Sequence, residues 1–243
     1  MPAALFVSDL HLCPTRPDSA RDFVDFVQGP AAQAGALYIL GDLFEYWAGD
    51  DDLVDPFNAS IATALKQLSE RGTKLFFIRG NRDFLVGADF GRASGATLLE
   101  EPHLAVLSGQ PTLLLHGDTL CSDDTLYQEF RAQVRSRAWR DGFLAQPLSE
   151  RKSRIEALRR KSEQEKQAKP AAVMDVNAGA VAELLRSHGF PRLIHGHTHR
   201  QGHHEHVVDG HRCERWVLGD WYGRGSYLRC DEQGCRALPW PPA

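Results

Sequence analysis

Apolar and polar positions along this 243-residue chain repeat one pattern: a short apolar run that ends in a polar cluster. ALFVSDLH (4–11), ALYILGDL (36–43), KLFFIRGNRD (74–83), PTLLLHGD (111–118) and RLIHGHTH (192–199) all follow it. Each predicts a strand buried on both faces that delivers charged residues at its carboxyl end. Helical periodicity separates these runs. SARDFVDFVQ (19–28) opens on Ser19 as a cap. NASIATALKQLSERG (58–72) puts Ile61, Leu65 and Leu68 on one face and stops at Gly72. DVNAGAVAELLRSHG (175–189) has Asp175 as its expected N-cap and Gly189 as its stop.

Alternation of strand and helix predicts an α/β layered fold, with ligands beyond the carboxyl ends of the strands, where the polar clusters fall. After residue 200 the pattern turns to short strands joined by turn residues, read as an antiparallel extension of a second sheet. Residues 123–170 break the rhythm. They are helical, basic and amphipathic, and predict a cap inserted between two parts of a core, 1–122 and 171–243.

Composition sharpens this outline. The formal net charge is −4, yet residues 150–169 alone carry eight Lys/Arg against four Glu, so the remainder is strongly acidic. Local basicity points to an anionic partner. No stacking platform or nucleic-acid-binding module accompanies it, so nucleic acid is not expected. The five cysteines form no C-x-x-C pair. No apolar run approaches the ~20 residues that span a bilayer, and no secretory signal opens the chain. These features predict a cytosolic protein with reduced thiols. Cys13 and Cys121 read as small buried packers, Asp50–Asp52 as a solvated loop, and His203, His204 and His206 as surface.

The chemistry lies at the strand ends. Asp9 and His11 come from D-x-H, Asp42 from GDLF, Asn81 from GNRD, His116 from HGD, and His197 and His199 from GH-x-H. Two divalent ions ~3.5–4 Å apart can clamp a phosphoryl group, and a carboxylate between them offsets their repulsion; Asp42 is the candidate bridge. Imidazole, carboxylate and amide oxygen together suit Mn²⁺, Fe²⁺ or Co²⁺, and no thiolate favours a structural zinc. On a strand, His197 and His199 would point one way, with His195 deeper as a core or supporting histidine. Gly196 would let the backbone crowd the site.

The ordered motifs resemble the calcineurin-like metallophosphoesterase superfamily. The resemblance implies a sandwich of two β-sheets flanked by helices, here with a helical cap. It also implies one ion on Asp9, His11, Asp42 and His199, and another on Asp42, Asn81, His116 and His197. LFVSDLHLC, ALYILGDLFEYWAGDDD, GNRDFLVG, LLHGDTLCSDD, MDVN and LIHGHTHR are similar, more narrowly, to the UDP-2,3-diacylglucosamine hydrolases of bacterial lipid A synthesis. That likeness implies a Mn²⁺-dependent pyrophosphohydrolase, using two Mn²⁺ ions, peripherally bound at the cytoplasmic face of the inner membrane. Water activated by both ions attacks the UMP-side phosphorus and yields UMP and 2,3-diacylglucosamine 1-phosphate. It assigns catalysis to Asp42, Asn81, Arg82 and His116. Substrate contacts go to Asn81, Arg82, Asp124, Ser162, Lys166, Lys169 and His197. No protein partner is implied.

Arg82 follows Asn81 where many monoester-cleaving members carry a histidine. Arginine cannot act as the acid, but it can hold a phosphate bidentately. A phosphate ester leaving group needs little protonation, so GNRD fits diphosphate cleavage. Apolar residues of the insert, Trp139, Phe143, Leu144, Leu148, Ile155 and Leu158, lie among its arginines and suggest shelter for acyl chains beside anionic headgroups. A packed amphipathic helix pair is the plainer reading of the same pattern. Two alternatives keep the fold: a metal-dependent phosphodiesterase or pyrophosphatase for a soluble nucleotide, and a non-catalytic scaffold.

Overall fold

The computed structural model describes residues 2–168 and 175–242, the side chains of 161–168 excepted. Lys169 lies outside the described residues, as do the side chains of Ser162 and Lys166. The apolar runs form β1 (Ala4–Val7), β2 (Ala36–Leu40), β3 (Lys74–Ile78), β6 (Gln110–Leu114) and β7 (Arg192–His195). β4 (Thr97–Leu99), β5 (His103–Leu107), β8 (Gly202–Val208), β9 (His211–Val217), β10 (Gly225–Asp231) and β11 (Gly234–Trp240) complete two sheets. One runs β11-β10-β1-β2-β3-β4, the other β5-β6-β7-β9-β8. β1 to β4 pair in parallel.

Strand parity builds the layers. Leu5 and Val7 of β1, with Leu37 and Ile39 of β2, face outward onto α1 (Pro17–Gln28) and α2 (Pro56–Glu70), where Phe23, Phe26, Ile61 and Leu65 meet them. Phe6, Tyr38 and Leu40 face inward and meet Leu114 and Ile194 of the other sheet. Phe6, Tyr38 and Phe76 stack along that interface with ring centroids 4.8 and 4.7 Å apart. Leu113 and Leu193 face outward onto Val181 and Leu185 of α7 (Ala178–Ser187). The central strands β1, β2 and β7 are thus buried on both sides, which is why their runs are continuously apolar. The α/β reading and the two-sheet sandwich stand.

Several local expectations change. α1 starts at Pro17, whose missing N–H is no loss at a first helical position; Ser19 lies inside it and its hydroxyl donates to Trp221 O. α2 starts at Pro56, capped by Asp55. α7 is capped by Asn177, whose side chain accepts from Ala180 N at 3.0 Å, and Asp175 pairs with Arg200 instead. Gly72 and Gly189 do take left-handed conformations past the helix ends. The C-terminal strands split: β8 and β9 extend the second sheet, while β10 and β11 extend the first. Their register sets Cys230 opposite Cys235, and these two form a disulfide. The expectation of reduced thiols fails for that pair, since two cysteines facing each other across a hairpin need no C-x-x-C spacing. Cys121 is buried, but Cys13 is partly exposed.

The insert forms α4 (Thr125–Arg135), α5 (Arg137–Leu144) and α6 (Leu148–Ala168). Five of its cations, Arg131, Arg135, Arg151, Lys152 and Arg159, are spent on the core. Arg131 Nε donates to Asp118 Oδ2 at 2.7 Å and its Nη2 to Glu101 Oε1 at 2.7 Å. Arg135 Nη2 donates to Gly80 O at 2.9 Å, and Tyr127 Oη to Asp118 Oδ2 at 2.7 Å. Arg151, almost wholly buried, reaches Ala48 O and Asp51. Lys152 Nζ lies 2.6 Å from Asp52 Oδ1, and Arg159 donates to Glu45 Oε1 at 2.5 Å. Asp50 accepts from Gly87, Asp89 and Phe90 N–H, capping the helix α3 (Ala88–Ser94). Asp50 and Asp52 are therefore structural rather than solvated, while Asp51 pairs with Arg151 and stays exposed. Phe143 is buried and Ile155 packs on the core; among the described residues of the insert, Leu126, Phe130, Leu144 and Leu158 are the exposed large apolar side chains.

Asp118 anchors α4 as an ion. Burial by itself would raise its pKa, but His116, His197, Arg135 and Arg131 hold the carboxyl well below the usual range. A depressed carboxyl contributes stability that is present above its unfolded pKa of about 3.9 and is lost as pH falls below that value. Asp118→Asn is expected to lose about 3 kcal/mol, toward the low end for a broken buried pair because Arg131 is partly exposed. The variant's stability should also fall less steeply than wild type between pH 5 and 3, as measured by urea denaturation at about two pH values.

Candidate active site

The strands stop short of the functional residues, which sit on the loops that follow them. Asp9, His11, Asp42, His197 and His199 all have positive φ, five of eight such non-glycine residues among those described. A left-handed residue with a Cβ is strained, and such strain gathers at functional sites. It also overturns the strand-parity argument for His197 and His199. β7 ends at His195, and two left-handed turns, not strand alternation, bring both imidazoles into the pocket. His195 stays behind, buried: Nδ1 donates to Gly196 O at 2.9 Å and Nε2 accepts from Arg215 at 3.1 Å. Burial pushes its pKa down to about 4.

Backbone contacts fix the loops to one another. Asp9 N donates to Gly41 O, His11 N to Asp42 O and Trp221 N to Asp9 O. Asp83 accepts from Gly80 N at 2.7 Å and from Leu43 N at 2.8 Å, tying GNRD to GDLF. Two glycines permit this closeness. A Cβ on Gly80 would lie 2.1 Å from Asp42 Oδ1, and one on Gly196 would lie 1.9 Å from Ser8 Oγ. The expectation for Gly196 holds.

The predicted ligands converge. Asp9, His11 and His199 present donor atoms within 4.8 Å of one another, and so do Asp9, Asp42 and His116. Asp42 Oδ2 is 3.9 Å from His11 Nε2 and 3.8 Å from His116 Nε2, between the two groups. Asn81 Oδ1 lies 2.9 Å from both His116 Nε2 and His197 Nδ1. His199 Nε2 is 3.4 Å from Asp9 Oδ1 and 3.4 Å from His11 Nε2. Asp9 Oδ1 and His11 Nδ1 are buried without a hydrogen-bond partner among the described residues. An unpartnered carboxylate oxygen and converging imidazoles fit divalent cations, and the N/O donor set without thiolate fits a dimetal centre.

Residues behind the ligands complete the arrangement. His116 Nδ1 donates to Leu40 O at 2.8 Å, and His199 Nδ1 lies 3.1 Å from Asp220 Oδ2. Each contact turns the ring's other nitrogen into the pocket. Tyr222 stacks on His11 with centroids 5.0 Å apart. Asp220, Tyr222, Asp83 and Glu45 were not singled out from the chain, although D-W-Y in LGDWY and the final Asp of GNRD have the strand-end form of the motifs that were.

The electrostatics record the crowding. Burial, reinforced by Asp83 and Asp9 against His116, pushes Asp42 up to about 7. Burial would raise Asp9 too, but the nearby imidazoles of His199, His116 and His11 hold it below the usual range. Burial lowers His116 and His199, yet neighbouring carboxylates carry both up to about 9. Burial drives His197 down to about 3. Arg82 donates its backbone N–H to Asp42 Oδ1 at 2.8 Å, and its guanidinium has no ion-pair partner among the described residues. Asp124 caps α4, its side chain accepting from Tyr127 N.

Among the described residues, no helix is long and apolar enough to cross a membrane. The calcineurin-like phosphoesterase family matches residues 3–201. Three relatives bear the name UDP-2,3-diacylglucosamine hydrolase. That of Aromatoleum aromaticum is 56% identical over 96% of this chain and 94% of its own length. That of Chromobacterium violaceum is 48% identical over 96% and 97%, and that of Chromohalobacter salexigens 47% identical over 94% and 93%. With its candidate metal ligands assembled in one pocket and identity of this order along nearly its whole length, the chain belongs to the UDP-2,3-diacylglucosamine hydrolase family of calcineurin-like phosphoesterases.

Proposed function

We propose that this chain hydrolyses the pyrophosphate of UDP-2,3-diacylglucosamine to UMP and 2,3-diacylglucosamine 1-phosphate, with two Mn²⁺ ions, at the cytoplasmic face of the inner membrane. The observation that carries this reading is the convergence of seven ligands from five strand ends on one pocket, with the Arg82 guanidinium unspent. Asp9, His11, Asp42 and His199 would hold one ion, and Asp42, Asn81, His116 and His197 the other. Such a pair supplies Lewis-acid charge to phosphoryl oxygens and lowers the pKa of water.

The chain's own residues do the rest. Asp42, between the two groups, sets their spacing. Leu40 O and Asp220 fix the rings of His116 and His199. Arg82 offers a planar fork to a phosphate and neutralises charge growing on the leaving group; it transfers no proton, which suits a leaving group that is itself a phosphate ester. Asn81 and His197 line the same pocket, and Asp124, Ser162, Lys166 and Lys169 are the further substrate contacts in this reading. The insert, 123–170, acts as a cap over the core formed by 1–122 and 171–243. Its exposed Leu126, Phe130, Leu144 and Leu158 suit acyl chains, and its paired arginines clamp it to the core.

The reading is tested by incubating the full chain with UDP-2,3-diacylglucosamine and Mn²⁺, with and without EDTA, and measuring UMP beside ADP-ribose and bis(p-nitrophenyl) phosphate controls. UMP should appear only with metal, and turnover of either control at a comparable rate sinks the substrate assignment. Asp42→Ala should reduce kcat/KM by about 10³ or more, comparable to losing a principal charge-stabilising group. Arg82→His should lower kcat on the pyrophosphate by about 10² while leaving p-nitrophenyl phosphate cleavage unchanged or improved. A wild type that prefers the monoester contradicts the role given to Arg82. Asp220→Asn should weaken metal binding by about 10–100-fold, read by metal titration with folding intact.

A further inference from the structure

A cleft of about 300 Å³ opens on the far side of the loop that carries His197 and His199. That volume stands at the lower end of small-molecule sites. Asp175, Thr198, Arg200, Gln201, His204 and Arg215 line it. Arg215 is the unusual member. It is 7% exposed, and its side chain meets no carboxylate at ion-pair distance among the described residues. Its Nε donates to His206 Nε2 at 3.0 Å and its Nη1 to His195 Nε2 at 3.1 Å. Both acceptors are imidazole nitrogens. Among the described residues Asp175 is the only acid lining the cleft, and it is already paired with Arg200.

A buried guanidinium held by neutral acceptors keeps its desolvation penalty without a counter-charge. Thr198 adds a second, independent observation. Its Oγ1 is buried with no hydrogen-bond partner among the described residues, although the residue lines the cleft. The wall therefore offers the guanidinium, a hydroxyl and the Gln201 amide, with one positive charge in excess when the histidines are neutral. Such a wall is complementary to an oxyanion. A cation is disfavoured by the two arginines, and an apolar ligand would leave Thr198 and Arg215 unsatisfied.

We propose that this cleft is a second anion site, separate from the metal centre, that binds the phosphate of a small phosphorylated molecule on Arg215 and Thr198. The phosphate can belong to a nucleoside monophosphate or be free in solution, and the proposal stands whether or not the lipid-nucleotide substrate is correct. The test is a titration of metal-loaded full chain, ¹⁵N-labelled at arginine and histidine, with inorganic phosphate, UMP and uridine, followed by NMR at the Arg215 Nε–H. The signal is assigned by its loss in Arg215→Lys or, should that variant not fold, by through-hydrogen-bond coupling to the His206 ring. Phosphate and UMP should shift it saturably, uridine should not, and Thr198→Val should raise the midpoint about threefold. UMP binding well ahead of phosphate identifies a nucleotide as the ligand, and equal binding identifies free phosphate. No shift with either anion, an equal shift with uridine, or a midpoint untouched by Thr198→Val overturns the proposal.

Discussion

Two buried carboxylates, Asp9 and Asp42, share one small volume with four imidazoles. His11 Nε2 lies 4.0 Å from an oxygen of one and 3.9 Å from an oxygen of the other. Desolvated charges of like sign repel strongly in a low-dielectric interior, and burial drives Asp42 up to about 7. A chain accepts such an arrangement when divalent charge is to be held there. Much of the architecture follows from this constraint. The strands must end together at one edge of both sheets. The loops after them must turn left-handed to aim their side chains inward, and glycines must stand where backbones come too close for a side chain.

The same constraint explains why acids and bases are layered outward from the centre. Asp220 holds His199, and Glu101 accepts the backbone N–H of His116 while pairing with Arg131. Glu45 lies near His11 and takes both Arg16 and Arg159. Through these carboxylates the inserted helices are tied to the ligand loops themselves. The basic character of the insert serves this clamp first, and the charge left for an external anion is less than its composition implies. Arg215 behind the GH-x-H loop is a buried cation with no carboxylate at ion-pair distance among the described residues.

Apolar periodicity, read alone, determined the α/β class, the places where strands end and the helical insert, because strands buried on both faces must be continuously apolar and helices packed on one side must be striped. The candidate ligands were legible for a related reason: Asp, Asn and His stand at the ends of successive apolar runs, so D-x-H, GD, GN, H and GH-x-H read as one ordered set. Cap positions were missed by two or three residues because Asp175 and Asn177 are chemically equivalent caps on paper, and only the Asp175–Arg200 pair separates them.

Tertiary structure alone decided what depends on distant residues meeting. Strand parity pointed His197 and His199 correctly for a reason that does not operate, since backbone dihedrals past β7 are set by loop packing and not by alternation. The Asp50–Asp52 run looked solvated because its partners, the α3 N-terminus, Arg151 and Lys152, lie elsewhere in the chain. Cys230 and Cys235 pair because hairpin register faces them, and the second sheet gained β8 and β9 but not β10 and β11. Local pattern specifies which elements form; long-range register, burial and charge pairing select which of their side chains meet.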